Sequence, residues 1–131
     1  IVGNTLITGP VFGSLKDSLL AASDIFVLPS RSEGFSMALL EATAASLPAI
    51  FSQECNFSEL ATIGGGWEIE RNEVALASAL KHALSLPKND LSAIGNRANK
   101  WASDRFTLEK LGADITALYE RLVQSKMDNG V

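Results

Sequence analysis

Residues 22–41 read A-S-D-I-F-V-L-P-S-R-S-E-G-F-S-M-A-L-L-E, and no other stretch restricts the fold as much. A short apolar run, Ile25 to Leu28, leads into a turn punctuated by Pro29 and Gly34, and helix formers follow from about Ser36. That order of strand, turn and helix is the signature of a βα unit. In such units ligands bind just past the carboxyl end of the strand, where the next helix begins. Ser30 to Met37 occupy that position.

The helix expected after this turn has an unusual charge pattern. Between Gly34 and Gln53 the one ionisable residue is Glu41, set among Met37, Ala38, Leu39, Leu40, Ala42, Ala44, Ala45 and Leu47. A solvated helix carries several charges on its outer face, so this one is expected to be covered on most sides. A carboxylate there needs a partner, because burying an unpaired charge is costly. Either a distant lysine or arginine reaches Glu41, or hydroxyl donors of a ligand do. Glu33, in the turn before the helix, can approach the same cleft from another direction.

Elsewhere the pattern predicts alternating strands and helices. Thr5 to Thr8 reads as a strand running into Gly9-Pro10, with Gly9 to Val11 an ordinary turn or a source of backbone groups for a nucleobase edge. A helix through Ala22 follows, with Ser14 as N-cap, Leu15, Leu19 and Leu20 on its packed face, and Lys16 and Asp17 solvated. Pro48 ends the central helix, and Ala49 to Ser52 form an apolar strand. Gly64-Gly65-Gly66 lacks the G-x-G-x-x-G spacing of a phosphate cradle and reads as a flexible turn. It leads into an edge strand, Trp67 to Ile69. Further helices are expected over 73–86, from Asp90 or Ser92 to about Ser103, and from Leu108 to about Gln124 with Thr107 as cap. His82 lies off the apolar set of its helix and reads as solvated. Tyr119 reads as packing, and Ser125 onward as frayed.

The chain has 131 residues, 47% of them hydrophobic, enough for one domain with its own core. Its net charge of −4 disfavours nucleic acid, which requires a basic patch. No apolar run approaches the roughly 20 residues of a transmembrane helix. A single cysteine, Cys55, excludes an internal disulfide and fits a reducing compartment. Cys55 and the single histidine, His82, are 27 positions apart and supply no metal-ligand cluster.

The stretch A-S-D-I-F-V-L-P-S-R-S-E-G-F-S-M-A-L-L-E-A-T-A resembles the donor-sugar site of the retaining, GT-B-type glycosyltransferases of family 4, which carry two glutamates separated by seven residues. Glu33 and Glu41 have that separation. Two glutamates so spaced mean little in a chain with nine; the surrounding A-x-D-x-F-x-x-P-S, G-F and E-A-x-A-x-x-x-P make the match specific. The likeness runs more loosely from Thr5 to about Leu122. It implies an α/β fold: a Rossmann-like parallel sheet with flanking helices, part of a GT-B C-terminal domain spanning residues 1–131. It also implies a nucleotide-diphosphate sugar donor, UDP- or GDP-linked, and transfer of a hexosyl group with retention in polysaccharide biosynthesis.

The resemblance assigns ribose hydroxyls to Glu41. Glu33, the catalytic candidate, meets a hydroxyl of the transferred sugar, helped by the backbone of Gly34 and Phe35. Phosphate oxygens would rest on the first-turn amides of Ser36, Met37 and Ala38, where the helix dipole favours an anion. Arg31, in the same loop, is compatible with a phosphate contact or with plain exposure. No cofactor or metal is implied. The family's basic pyrophosphate clamp has no counterpart here, and the resemblance places it, further βα units and an acceptor domain ahead of Ile1. This piece alone is then expected to bind donor weakly and transfer nothing. It further implies a cytoplasmic enzyme, with any contact to the inner membrane made through the other domain. A non-catalytic sugar-nucleotide-binding module and a GT-B-type sugar-nucleotide epimerase are the alternatives. Departures from the family pattern are Ser46 for a glycine before the proline, and Cys55-Asn56 for a glycine pair ahead of the matching Glu59.

Overall fold

The computed structural model describes residues 3–128. Three strands, β1 (Phe26–Leu28), β2 (Ala49–Ser52) and β3 (Gly66–Ile69), form one parallel sheet in the order β1-β2-β3. Phe26 pairs with Ala49, and Ala49 with Gly66. The helices are α1 (Gly13–Ala21), α2 (Met37–Ala44), α3 (Ser58–Thr62), α4 (Glu73–Ser85), α5 (Lys88–Arg105) and α6 (Leu108–Asp128); a short 3-10 turn, Gln53–Cys55, follows β2.

β2 is the central strand, and all four of its residues are buried. Its side chains alternate across the sheet, as the pleat requires. Ala49 and Phe51 join Leu39, Phe57, Leu60, Ala98 and Trp101 on the face covered by α2, α3 and α5. Ile50 faces the other way, toward Ile69 and Ala83 of α4, with Trp67, Leu76 and Leu80 packed at the margin. Helices on both faces of a parallel sheet, with a near-continuous apolar run in its middle strand, make a doubly covered α/β domain.

Glycine matters most where two elements nearly touch. A Cβ at Gly66 would lie 2.4 Å from the Ala49 carbonyl oxygen, and one at Gly65 would lie 2.5 Å from Leu60 Cδ1. The run Gly64-Gly65-Gly66 is therefore a close-packed approach of strand to core, in place of the flexible turn expected from its composition. Ser46, where the family pattern has glycine, sits at φ 61 in the left-handed region. That conformation costs an L-residue roughly 1–2 kcal/mol, against roughly 0.5–1 kcal/mol of extra chain entropy for glycine. Ser46→Gly is accordingly expected to stabilise the fold by about 0.5–1 kcal/mol, read as a rise in the urea midpoint.

Several local expectations are corrected. Thr5 to Thr8 is not a strand: Leu6 and Ile7 are 82% and 89% exposed, and none of the three described strands pairs with them. A strand needs a neighbouring ladder to satisfy its backbone, and among the described residues this segment meets none. Helix α1 begins at Gly13 with Phe12 as N-cap and no side-chain cap, so Ser14 lies inside its first turn. Its intended packed face is open, with Leu15 57% exposed. Helix α2 is covered on one face, through Leu39, Ala42 and Thr43, while Met37 and Ala38 are exposed. Helix α5 begins earlier than expected because the Pro87 carbonyl already accepts from the Asp90 and Leu91 amides, leaving Asp90 in the first turn. Helix α6 continues through Ser125 to Asp128.

Candidate functional site

The site is built where β1 ends and α2 begins. Ser36 is buried at 1% exposure, and its Oγ accepts from the Leu39 amide at 3.3 Å. This N-cap satisfies one first-turn amide and fixes where the helix opens. The amides of Met37 and Ala38, too early in the helix for an intrahelical acceptor, open toward solvent with the positive end of the dipole.

The loop leading to that mouth is tied down at several points. Ser30 Oγ donates to Glu33 Oε1 at 3.0 Å, and the Ser30 carbonyl accepts from the buried Ser52 Oγ at 2.7 Å. The Glu33 amide donates to the Glu54 carbonyl at 3.2 Å, while the Glu33 carbonyl accepts from Asn56 Nδ2 at 3.0 Å. A Cβ at Gly34 would meet nothing within 4 Å, so the protein's own packing does not demand glycine there. The space beside it is open. Phe35 is 48% exposed, with its ring centroid 5.2 Å from Phe57 and 5.4 Å from Phe106.

Glu41 sits in the second turn of α2, about 6 Å along the helix axis from its start. Its Oε1 lies 2.6 Å from Lys16 Nζ of α1, so Lys16 is an ion-pair partner and not the solvated residue expected. Both side chains keep over a third of their surface exposed, so solvent screens the pair and its contribution to folding is small. The hydrogen bond to Glu41 raises the Lys16 pKa above its ordinary 10.5, against a smaller opposing effect of desolvation. Whatever the pair adds to folding is thus complete below the unfolded lysine value and lost as pH climbs through the raised one. A carboxylate has about four lone-pair sites, so one ammonium leaves Glu41 able to accept from further donors.

Phe35, Met37 and Leu40 form one wall of a groove of about 460 Å³, closed on the other side by Phe106, Leu108 and Leu111. Neither Glu33 nor Glu41 lines it. The expected site residues thus divide. Glu33, Gly34, Phe35 and Ser36 lie on the braced loop, Met37 and Ala38 on the helix mouth, and Glu41 one turn higher. Sequence reasoning missed Lys16, Ser52 and Asn56 as supports. A lone carboxylate on an apolar helix signals that a partner exists, but not which lysine supplies it from 25 positions away.

The further glutamate of the family pattern, Glu59, is paired with Arg105 of α5. His82 is exposed, with its ring edge-on to Trp67 at 5.8 Å. Among the described residues no three histidine, cysteine, aspartate or glutamate side chains are grouped as metal ligands, and no helix is long and apolar enough to cross a membrane.

The chain is 31% identical over 106 residues to the lipopolysaccharide core biosynthesis mannosyltransferase LpsB of Rhizobium meliloti (strain 1021), a match covering 79% of this chain and 30% of that protein. It is 27% identical over 106 residues to the O-antigen biosynthesis glycosyltransferase WclY of Escherichia coli, covering 81% of this chain and 29% of that protein. The chain therefore spans under a third of the length of these relatives. The fold is similar to that of sucrose-phosphate synthase from Thermosynechococcus elongatus, with a TM-score of 0.72 at 22% identity over 82% of this chain and 27% of that one. Residues 3–101 match the family described as glycosyl transferases group 1, and the chain belongs to that family.

Proposed function

We propose that this chain is the donor-binding part of a retaining hexosyltransferase that uses a UDP- or GDP-linked sugar in polysaccharide biosynthesis. The observation that supports the reading is the polar-capped, solvent-open first turn of α2, with Glu33 in the braced loop before it and Glu41 one turn into the helix. An activated sugar has three parts that such a mouth can hold. Its diphosphate meets the Met37 and Ala38 amides and the helix dipole. Its ribose donates hydroxyl protons to the lone pairs of Glu41 that Lys16 leaves free. Its sugar ring reaches the space beside Gly34, where the Glu33 carboxylate accepts a hydroxyl.

Retention is expected to depend on stabilising the leaving diphosphate as the sugar bond breaks, and preorganised dipoles are suited to that task. The mouth of α2 supplies one such dipole. The relatives' names refer to lipopolysaccharide core and O-antigen synthesis, which supports a saccharide acceptor. The matched segment is under a third of those relatives' length, and acceptor recognition is assigned to sequence beyond it. A buried, free Cys55 suits a reducing compartment, in keeping with a cytoplasmic enzyme.

The roles separate under titration calorimetry with UDP-glucose, GDP-mannose and the corresponding free diphosphates. Charged hydrogen bonds of roughly 1.5–3 kcal/mol predict a loss of roughly 10- to 100-fold in affinity when one is removed. Glu41→Gln is expected to weaken the nucleotide sugar and the free nucleotide alike. Glu33→Gln is expected to weaken only the sugar-bearing ligand. Wild-type affinity in both variants would remove the two carboxylates from the site.

A further inference from the structure

Resting on the donor-site reading above, we propose that the side-chain amide of Asn56 is a positioning group that sets Glu33 against the transferred sugar. The Glu33 peptide unit is held from both ends by one short turn. Its N–H donates to the Glu54 carbonyl at 3.2 Å and its carbonyl accepts from Asn56 Nδ2 at 3.0 Å. Asn56 can make this reach because it sits in the left-handed region, at φ 59 and ψ 39, with its own amide bonded to the Gln53 carbonyl at 3.1 Å. Asparagine is one of the few L-residues that tolerate that conformation.

The turn is anchored in turn. Cys55 is fully buried, its Sγ 3.7 Å from both the Leu28 carbonyl and Ser52 Oγ, so the end of β1, the end of β2 and the turn are fixed together. A chain with two glycines at 55 and 56 could trace the same backbone, but it would lack the amide that grips Glu33. At these positions the protein has exchanged a bare backbone for a side-chain clamp. Glu33 is further oriented at its carboxylate by Ser30 Oγ, whose backbone is held by Ser52. The clamp therefore holds the backbone from which the Glu33 carboxylate projects, and makes no bond to the Met37 and Ala38 amides. Asn56 is assigned no contact with substrate; it acts through Glu33.

Two variants isolate the amide. Asn56→Gly keeps the left-handed backbone and removes the side chain, while Asn56→Asp keeps the shape and removes the donor. Both are expected to melt close to wild type. Loss of one hydrogen bond predicts roughly 3- to 10-fold faster hydrogen exchange at the Glu33 amide and a roughly 3- to 10-fold weaker affinity for UDP-glucose or GDP-mannose. Affinity for UDP or GDP is expected to be unchanged, a split that a merely structural loosening would not produce. Equal losses for sugar-bearing and free nucleotide, or wild-type values for both in either variant, overturn the proposal. If the wild-type chain binds none of the four ligands, the donor-site reading fails and this role with it. Faster exchange at Glu33 would in that case mark Asn56 as a structural brace alone.

Discussion

Gly95→Ala is expected to destabilise the domain by about 2–3 kcal/mol or more, because overpacking against backbone has no side chain to push aside. Gly95 lies in the middle of α5, where alanine would ordinarily help by about 1 kcal/mol. Its Cβ, however, would fall 1.9 Å from the Ser46 carbonyl oxygen, 2.8 Å from the carbonyl carbon and 3.3 Å from Pro48 Cδ. The Ser46 carbonyl cannot swing away cheaply. It belongs to a residue already held at φ 61 and followed directly by the buried Leu47 and Pro48. Asn99, one turn further along α5, also donates to the Ala44 carbonyl at 2.6 Å. At Gly95 the contact between α5 and the turn after α2 is thus backbone against backbone. Gly112→Ala supplies the control, since its Cβ would meet nothing within 4 Å and only the helix-propensity gain should remain. Urea unfolding of the two variants should move in opposite directions, and a stabilised Gly95→Ala would refute the close approach.

That contact also shows where reading from sequence stops. Ala49 to Ser52 was legible to the residue, because an apolar run directly after a proline leaves little else for it to be. Ser36 was legible as the place where α2 opens. Gly95 carries no signal of its own in the sequence, and the composition of Gly64-Gly65-Gly66 suits a flexible turn. A glycine reports equally well a turn or a near collision, and only the neighbour decides between them. Thr5 to Thr8 failed for the converse reason. Its composition suits a strand, but a strand is a relation to a second strand, and the residues themselves do not state whether one is there.

The candidate site divides along the same line. Its two carboxylates and the helix mouth follow from local pattern, since strand, turn and cap are set by residues close in sequence. What holds them does not. Lys16 reaches Glu41 from another helix, and Asn56 reaches Glu33 across 23 positions. The first is visible in the sequence as a requirement, an isolated carboxylate lacking a partner; the second has no signal there beyond Asn56 standing where the family pattern has glycine.

The same loop is tied to the core on its other side, and Trp101→Ala is the substitution expected to cut that tie. Trp101 is 6% exposed, with Phe57 at 5.6 Å and Phe106 at 5.1 Å between ring centroids, and the Arg105 guanidinium lies 5.9 Å above its ring. Phe35 packs on the outer rings of that set, so the aromatic chain runs from α5 to the loop beside Glu33. Removing the indole is expected to cost about 3–5 kcal/mol, the range for a large aromatic truncated in a core. Trp101→Phe should cost less, about 1–2 kcal/mol, since part of the ring contact persists and the cavity left by the missing ring is smaller. The indole N–H is buried with no acceptor among the described residues, so phenylalanine forfeits no hydrogen bond there. The two variants therefore separate packing from polarity. If packing through Phe57 and Phe106 is what seats Phe35, Trp101→Phe should retain nucleotide-sugar affinity, while Trp101→Ala should lose it under conditions where circular dichroism still shows a folded chain. Equal affinity in the two folded variants would mean that Phe35 and its loop are held by the Gln53–Asn56 turn alone.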